Sequence, residues 1–166
     1  MRTLASRLLL AASLLAGTTL LPAQKKYDGP RPPKPDVPFL LHAGKLTETE
    51  SLTATDAQQK DGTLYTIPGA TSPARTPVSE PIFVFQAGKV NPDKLTLFRV
   101  EPRAGNRTLL LPAPGKRKKD SPQPIFMLVT PLVAGLFRVE VNEVLADGEY
   151  CLSPEGSNQV FCFTAY

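Results

Sequence analysis

The sequence predicts an all-β protein, a single antiparallel β-sandwich of eight or nine short strands. Eighteen prolines among 166 residues disfavour long helices, because proline removes a hydrogen-bond donor and clashes inside a helix. Short apolar or alternating runs recur about every ten residues, with turn-forming residues between them. No amphipathic helical period interrupts these runs. Such spacing is typical of a sandwich or an open barrel of antiparallel sheets.

Residues 1–23 have the organisation of an export signal. Two arginines supply the positive start, an apolar run follows at 8–16, and Ala23 is a small residue at the expected cut. The apolar stretch extends at most to Leu21, which is shorter than the roughly 20 residues that a spanning helix needs. We therefore expect a secreted or periplasmic protein after cleavage near Ala23, with no transmembrane segment in the mature chain.

Residues 24–38 are predicted to form a stiff N-terminal arm. Five of these residues are prolines and four are lysine or arginine, a composition that favours a solvated polyproline II segment. We expect the arm to act as a spacer or as a strap on the domain surface. Docking into an aromatic groove of a partner is the alternative use of such a segment.

The sandwich domain is expected over residues 39–166, and its first half contains three predicted elements. An apolar element begins at 39–41, and a Thr-rich alternating stretch continues over 46–55. Residues 57–62 are polar and turn-like, ending in Asp-Gly, which is a hairpin signal. The strand that follows is predicted at 63–67.

The second half of the domain carries clearer strand signals. Residues 82–85 form a continuous apolar run that is typical of a buried strand. Asn91-Pro92-Asp93 can begin one helical turn or a tight turn. Further strands are predicted around 95–100, 108–111, 125–129 and 136–141.

The last 22 residues form the best-defined local unit. If Pro154 faces Gln159 across a hairpin, Cys151 lies opposite Cys162. Alternation then places the side chains of Tyr150, Leu152, Phe161, Phe163 and Ala165 together on the other face. Two neighbouring cysteines in an exported protein favour a disulfide. The alternative is two buried free cysteines.

Residues 145–150 have the form L-x-x-G-x-Y, with Leu145, Gly148 and Tyr150 at the marked positions. This pattern resembles the tyrosine corner of immunoglobulin-like sandwiches. The resemblance implies structural roles, in which Leu145 fills the core and the Tyr150 hydroxyl bonds back to the backbone. Cys151 directly follows the tyrosine, whereas the second cysteine of antibody domains lies two residues after it, and the chain has no tryptophan. These departures argue against the inter-sheet disulfide of antibody domains, and the resemblance implies no function.

The sequence carries no recognisable catalytic motif, so we expect a protein that is not an enzyme. His42 is the single histidine and no G-x-S-x-G pattern accompanies it, which leaves a Ser-His-Asp or Cys-His system without support. Metal ligands are also poorly supplied, and we expect no cofactor. A small secreted hydrolase or carbohydrate-active enzyme would have to use dispersed carboxylates, and this is the first alternative.

The sharpest charge run is Lys116-Arg117-Lys118-Lys119, which we call the basic loop. The formal net charge of the chain is +4, but two of its cations lie in the export signal. No aromatic residue interleaves with the run, so the sequence favours no nucleic-acid partner. We expect the basic loop either to keep the protein soluble or to contact an anionic cell-envelope component.

A polar loop at 153–159 closes the last hairpin. Its Glu155, Ser157 and Asn158 side chains are either turn-forming residues or contacts for a ligand at one end of the sandwich.

These features together predict an exported, non-enzymatic binding or structural module of the cell envelope. The basic loop and the proline-rich arm are the expected contact surface for an anionic component or another envelope protein. The second alternative is an accessory subunit that joins an assembly by strand pairing. The apolar end strand at 160–166 would then be the pairing edge.

Overall fold

The computed structural model describes residues 26–166, so the predicted export signal lies outside the described residues. Within this range the chain forms 13 strands and one 3₁₀ turn at Pro92–Lys94. The strands are β1 (Pro38–His42), β2 (Lys45–Glu48), β3 (Glu50–Thr53), β4 (Thr55–Gln59), β5 (Gly62–Pro68), β6 (Arg75–Thr76), β7 (Ile82–Gln86), β8 (Leu95–Arg103), β9 (Asn106–Pro112), β10 (Met127–Val133), β11 (Leu136–Val141), β12 (Gly148–Pro154) and β13 (Gln159–Ala165).

The predicted all-β class of packed antiparallel sheets is confirmed. The smaller sheet has the order β10-β11-β7-β1-β2, and the larger has the order β3-β13-β12-β8-β9-β5-β4. Every pairing is antiparallel except that of the two-residue β6, which runs parallel to β13.

The strand count exceeds the predicted eight or nine partly because β6 was not predicted, and partly because single residues divide a run that looks continuous in the sequence. Thr49 separates β2 from β3, and Ala54 separates β3 from β4. The polar stretch predicted as a turn contains most of β4, whose five residues are all exposed. Its backbone pairs with β5, and such tertiary pairing commonly overrides the weak strand propensity of polar residues.

The larger sheet closes on itself through β3 and β4. These strands lie at opposite ends of the sheet order, yet only Ala54 separates them in the chain. The first half of this segment pairs with β13 and the second half pairs with β5. At the junction the Ala54 N–H donates to the Asn158 carbonyl over 2.8 Å. We call the result the closed sheet.

Closure gives the molecule two apolar cores. The first lies between the two sheets and includes Phe83, Phe85, Leu97, Phe161 and Phe163. The second lies inside the closed sheet and comprises Ala54, Ile67, Val100, Cys151, Val160 and Cys162, with Leu52, Tyr65 and Leu109 packed against them. Strand β12 therefore buries both of its faces, and β8 does so around Leu97 and Val100.

The strand at 160–166 is not a free edge, so the predicted pairing surface is wrong. β13 covers most of this segment, and it pairs with β12 on one side and with β3 and β6 on the other. Phe161 and Phe163 are fully buried. The segment is apolar because both of its faces are in cores. In the smaller sheet, β10 and β2 are the terminal strands.

The end of the predicted arm is attached to the smaller sheet. The Asp36 N–H donates to the Gln86 carbonyl, and the Asp36 carboxylate accepts from the backbone N–H groups of Gly88, Lys89 and Val90 at 2.7–2.9 Å. Burial by itself would raise the pKa of Asp36, but these three donors outweigh it and hold the pKa below its ordinary value. The arm therefore meets the domain through a defined anchor before β1 begins.

No helix in the described range is long and apolar enough to cross a membrane.

Candidate functional site

One end of the closed sheet is blocked by a buried arginine. Arg107 on β9 has no exposed surface, and its Nε and Nη2 atoms donate to the carbonyls of Gly69 and Pro68 at 2.9 and 2.7 Å. Its Nη1 lies 2.8 Å from a Glu50 carboxylate oxygen and 3.7 Å from one of Glu149. The Nη1 contacts fall outside hydrogen-bond geometry, so they are ion pairs held by charge.

Glu149 links this cluster to the surrounding loops. One carboxylate oxygen accepts from the Ser72 N–H at 2.9 Å, and the other accepts from the Thr164 hydroxyl at 2.6 Å. Ser72 in turn donates its hydroxyl to the Cys162 carbonyl. These bonds satisfy a buried carboxylate, as burial of charge requires, and they close this end of the sheet.

The other end of the closed sheet opens into a cavity of about 710 Å³. The cavity lies above the second core, and its walls come from the interior faces of the surrounding strands. Its lining comprises Ala54, Tyr65, Ile67, Asp93, Lys94, Thr96, Phe98, Val100, Leu109, Leu111, Cys151, Ser153, Pro154, Glu155, Gly156, Ser157, Asn158 and Val160. The deeper lining residues are mainly apolar, whereas the polar lining residues lie at the mouth.

An ion pair joins two segments of the mouth. The Lys94 ammonium lies 2.9 Å from the Glu155 carboxylate, and the Glu155 N–H donates to the Lys94 carbonyl at 2.9 Å. The hydrogen bond and charge of Glu155 raise the pKa of Lys94 above its ordinary value. This contact connects the 3₁₀ turn to the loop between β12 and β13. The polar loop at 153–159 therefore forms part of the cavity mouth.

The basic loop lies beside the same mouth. The Lys116 ammonium donates to the Lys60 carbonyl in the turn between β4 and β5, and Arg117 donates to Gln123. Arg117 also lines a shallow depression with Phe98 and Leu111, two residues that contribute to the cavity wall. The segment after β9 thus packs along the open end of the closed sheet.

The four predicted cations are all exposed, but they differ in their contacts. Lys116 and Arg117 are held by the intramolecular bonds described above. Within residues 26–166, Lys118 and Lys119 form no ion pair, and the backbone N–H of Lys118 donates to the Ser121 hydroxyl at 2.8 Å. These two ammonium groups are accordingly the ones that remain available to a partner.

The predicted disulfide is confirmed. Cys151 and Cys162 are bonded, and Tyr150 faces Phe163 while Leu152 faces Phe161, which is the register read from the sequence. The disulfide lies in the second core, where Cys151 contributes to the cavity floor.

The L-x-x-G-x-Y segment lies at the start of β12. The Tyr150 hydroxyl donates to the Ala146 carbonyl at 2.7 Å, and Leu145 is buried in the core between the sheets. Burial raises the pKa of Tyr150, and the nearby Arg99 guanidinium opposes this effect in part. Gly148 leaves room for Arg99, because a Cβ there would lie 3.0 Å from Arg99 Nη2.

His42 lies at the exposed end of β1, opposite Lys45 in the hairpin with β2. Its strand belongs to the smaller sheet, whereas the cavity-lining strands belong to the larger sheet. Over residues 26–166, no group of three or more His, Cys, Asp or Glu side chains is arranged to hold a metal ion.

No protein-family model, curated protein or solved structure matches this chain.

Sequence reasoning missed the cavity and the Arg107 cluster. One signal for the cavity was present in β8, where Leu95 and Leu97 alternate with Phe98 and Val100, so that both faces of the strand are apolar. A two-faced apolar strand implies cover on both sides. No comparable signal marks Arg107, because its partners come from positions distant in the sequence.

Proposed function

We propose that this protein is an exported, non-enzymatic binding module of the cell envelope that meets its partner with the open end of the closed sheet. One observation carries the proposal: the basic loop and the cavity mouth lie at the same end, while buried ion pairs block the opposite end. Binding residues concentrate on loops that a rigid scaffold positions. The partner class that fits the basic loop is an anionic envelope component.

The disulfide supports the exported location, because such bonds persist in oxidising compartments and are rare in the cytosol. The exposed Lys118 and Lys119 supply unpaired positive charge for phosphate or carboxylate groups.

Co-sedimentation of the purified protein with cell-envelope fragments, over a series of salt concentrations, tests this proposal. We expect binding at low salt that weakens steeply as salt rises, because exposed charge interactions are screened over about 8 Å at physiological ionic strength. The Lys118→Glu/Lys119→Glu variant is expected to lose the salt-sensitive binding.

The matched control is Lys45→Glu/Arg103→Glu, which changes the net charge by the same amount at exposed positions away from the open end. This control should retain the binding. Equal loss in both variants would show an effect of net charge alone and would contradict the assigned surface. Salt-insensitive binding, or no binding at any salt, would also overturn the proposal.

A further inference from the structure

We propose that the cavity inside the closed sheet binds a compact, uncharged, largely apolar small molecule. This site is separate from the basic loop and does not depend on the envelope contact proposed above. Its volume of about 710 Å³ falls within the range of pockets that enclose small-molecule ligands.

The cavity wall provides apolar contacts from strands on different sides of the closed sheet. Phe98 from β8, Leu109 and Leu111 from β9, and Tyr65 from β5 are half-buried and face the same space. Half-buried apolar side chains around a shared space can lose further water contact when an apolar molecule enters. This surface is therefore complementary to a hydrocarbon or aromatic body.

The floor of the cavity contains no charged group that would select an ionic ligand. It is formed by Ile67, Val100 and Cys151, all nearly fully buried. Arg107 and its two glutamates lie at the closed end and are absent from the cavity lining. Burying a ligand charge against such a floor would be costly without a partner.

The mouth is polar, and several of its polar groups already bind neighbouring groups, while the Asp93 carboxylate adds negative charge that disfavours an anion. Lys94 pairs with Glu155, the Thr96 hydroxyl donates to the Ser153 carbonyl, and the Asn158 amide donates to Asp56. The mouth thus offers no free cation among these groups. This arrangement favours an uncharged ligand over a fatty-acid or phosphate anion.

The dimensions favour a compact ligand over an extended chain. Val100 at the floor and Thr96 at the mouth lie four residues apart on β8, which corresponds to about 13 Å of strand. A cavity of this volume and short depth is broad. Fused rings or a branched hydrocarbon fill such a shape better than one straight alkyl chain does.

Fluorescence titration with N-phenylnaphthylamine, an uncharged aromatic probe, tests the proposal on the full protein. We expect saturable binding of one probe per chain. Palmitate should bind about ten-fold more weakly than the probe, because its carboxylate must be desolvated. Absence of saturable probe binding, or binding of palmitate as tight as that of the probe, would overturn the proposal.

Two neighbouring positions on β9 provide a matched pair of variants. Leu111 faces the cavity, whereas Leu110 is exposed on the outer side of the strand. Leu111→Glu should weaken probe binding by about ten-fold or more, and Leu110→Glu should leave it unchanged. If Leu111→Glu does not fold, Leu111→Gln should give a smaller loss in the same direction. Equal effects at the two positions would contradict a site inside the closed sheet.

The basic-loop variant separates this inference from the envelope proposal. Lys118→Glu/Lys119→Glu should bind the probe as tightly as the unmodified protein does. Loss of probe binding in that variant would contradict a separate interior site, whatever the result of the envelope experiment.

Discussion

Arg107 has no exposed surface, although arginine is almost never fully buried in proteins unless it is paired. Two carbonyls and two carboxylates surround its guanidinium group. Because Glu50 and Glu149 come from β3 and β12, the cluster ties distant parts of the closed sheet together. A buried ion pair of this kind adds little net stability over an apolar replacement, but removing one partner leaves uncompensated charge.

We therefore predict that Arg107→Met lowers the free energy of unfolding by about 3–5 kcal/mol, as measured by urea denaturation. The control is Lys34→Met, which removes a more exposed pair with Glu48 and should cost less than about 1 kcal/mol. Similar losses in the two variants would show that the Arg107 cluster does not hold buried charge.

Asp36 shows how one side chain can anchor a segment, since it receives three backbone hydrogen bonds from the loop after β7. Its pKa in the folded protein is lower than the ordinary value of 3.8. The stability that the carboxylate contributes is therefore fully present above pH 3.8 and is lost as the pH falls through the lower, folded-state pKa.

Asp36→Asn is expected to lower the free energy of unfolding at pH 7 by about 1 kcal/mol, because a neutral amide oxygen accepts these hydrogen bonds less strongly than the carboxylate does. The difference from the unmodified protein should shrink as the pH falls below 3.8. Urea denaturation at neutral and acidic pH measures both effects. Asp28→Asn, at an exposed position in the arm, should change stability little, and a pH-independent difference for Asp36→Asn would contradict the mechanism.

Among the elements, the hairpin of β12 and β13 was predicted most completely. Its register follows from alternation, because a slip of one residue would exchange the aromatic face with the cysteine face. The two faces have different surroundings: the aromatic residues enter the core between the sheets, and the disulfide enters the core of the closed sheet. Strand β4 was predicted poorly, since its polar residues become a strand only by pairing with β5.

The disulfide should stabilise this hairpin by restricting the unfolded chain. Its cysteines are separated by 11 residues, for which the chain-entropy account gives about 3 kcal/mol. We predict a loss of this size in Cys151→Ala/Cys162→Ala, measured by urea denaturation. Reduction of the unmodified protein should produce a loss in the same direction. An unchanged midpoint in both experiments would contradict this role.

At the scale of the whole molecule, closure of the larger sheet decides where a partner or ligand can act. One end is filled by Arg107 and its partners, so the cavity and the basic loop share the opposite end. The sequence indicated that the basic loop was exposed, but it contained no information about which end of the fold the loop would occupy. That placement depends on the turn between β4 and β5, which receives the Lys116 side chain.

The all-β class, the disulfide and most strand positions followed from the sequence alone, because alternation, prolines and turn residues act over a few neighbouring positions. The closed sheet did not follow, since it requires residues 50–59 to pair with β13 along one part and with β5 along the next. The partners of Arg107 and the lining of the cavity come from the same long-range pairing. Local chemistry thus determined which segments became strands, and the tertiary structure determined which side chains those strands enclose.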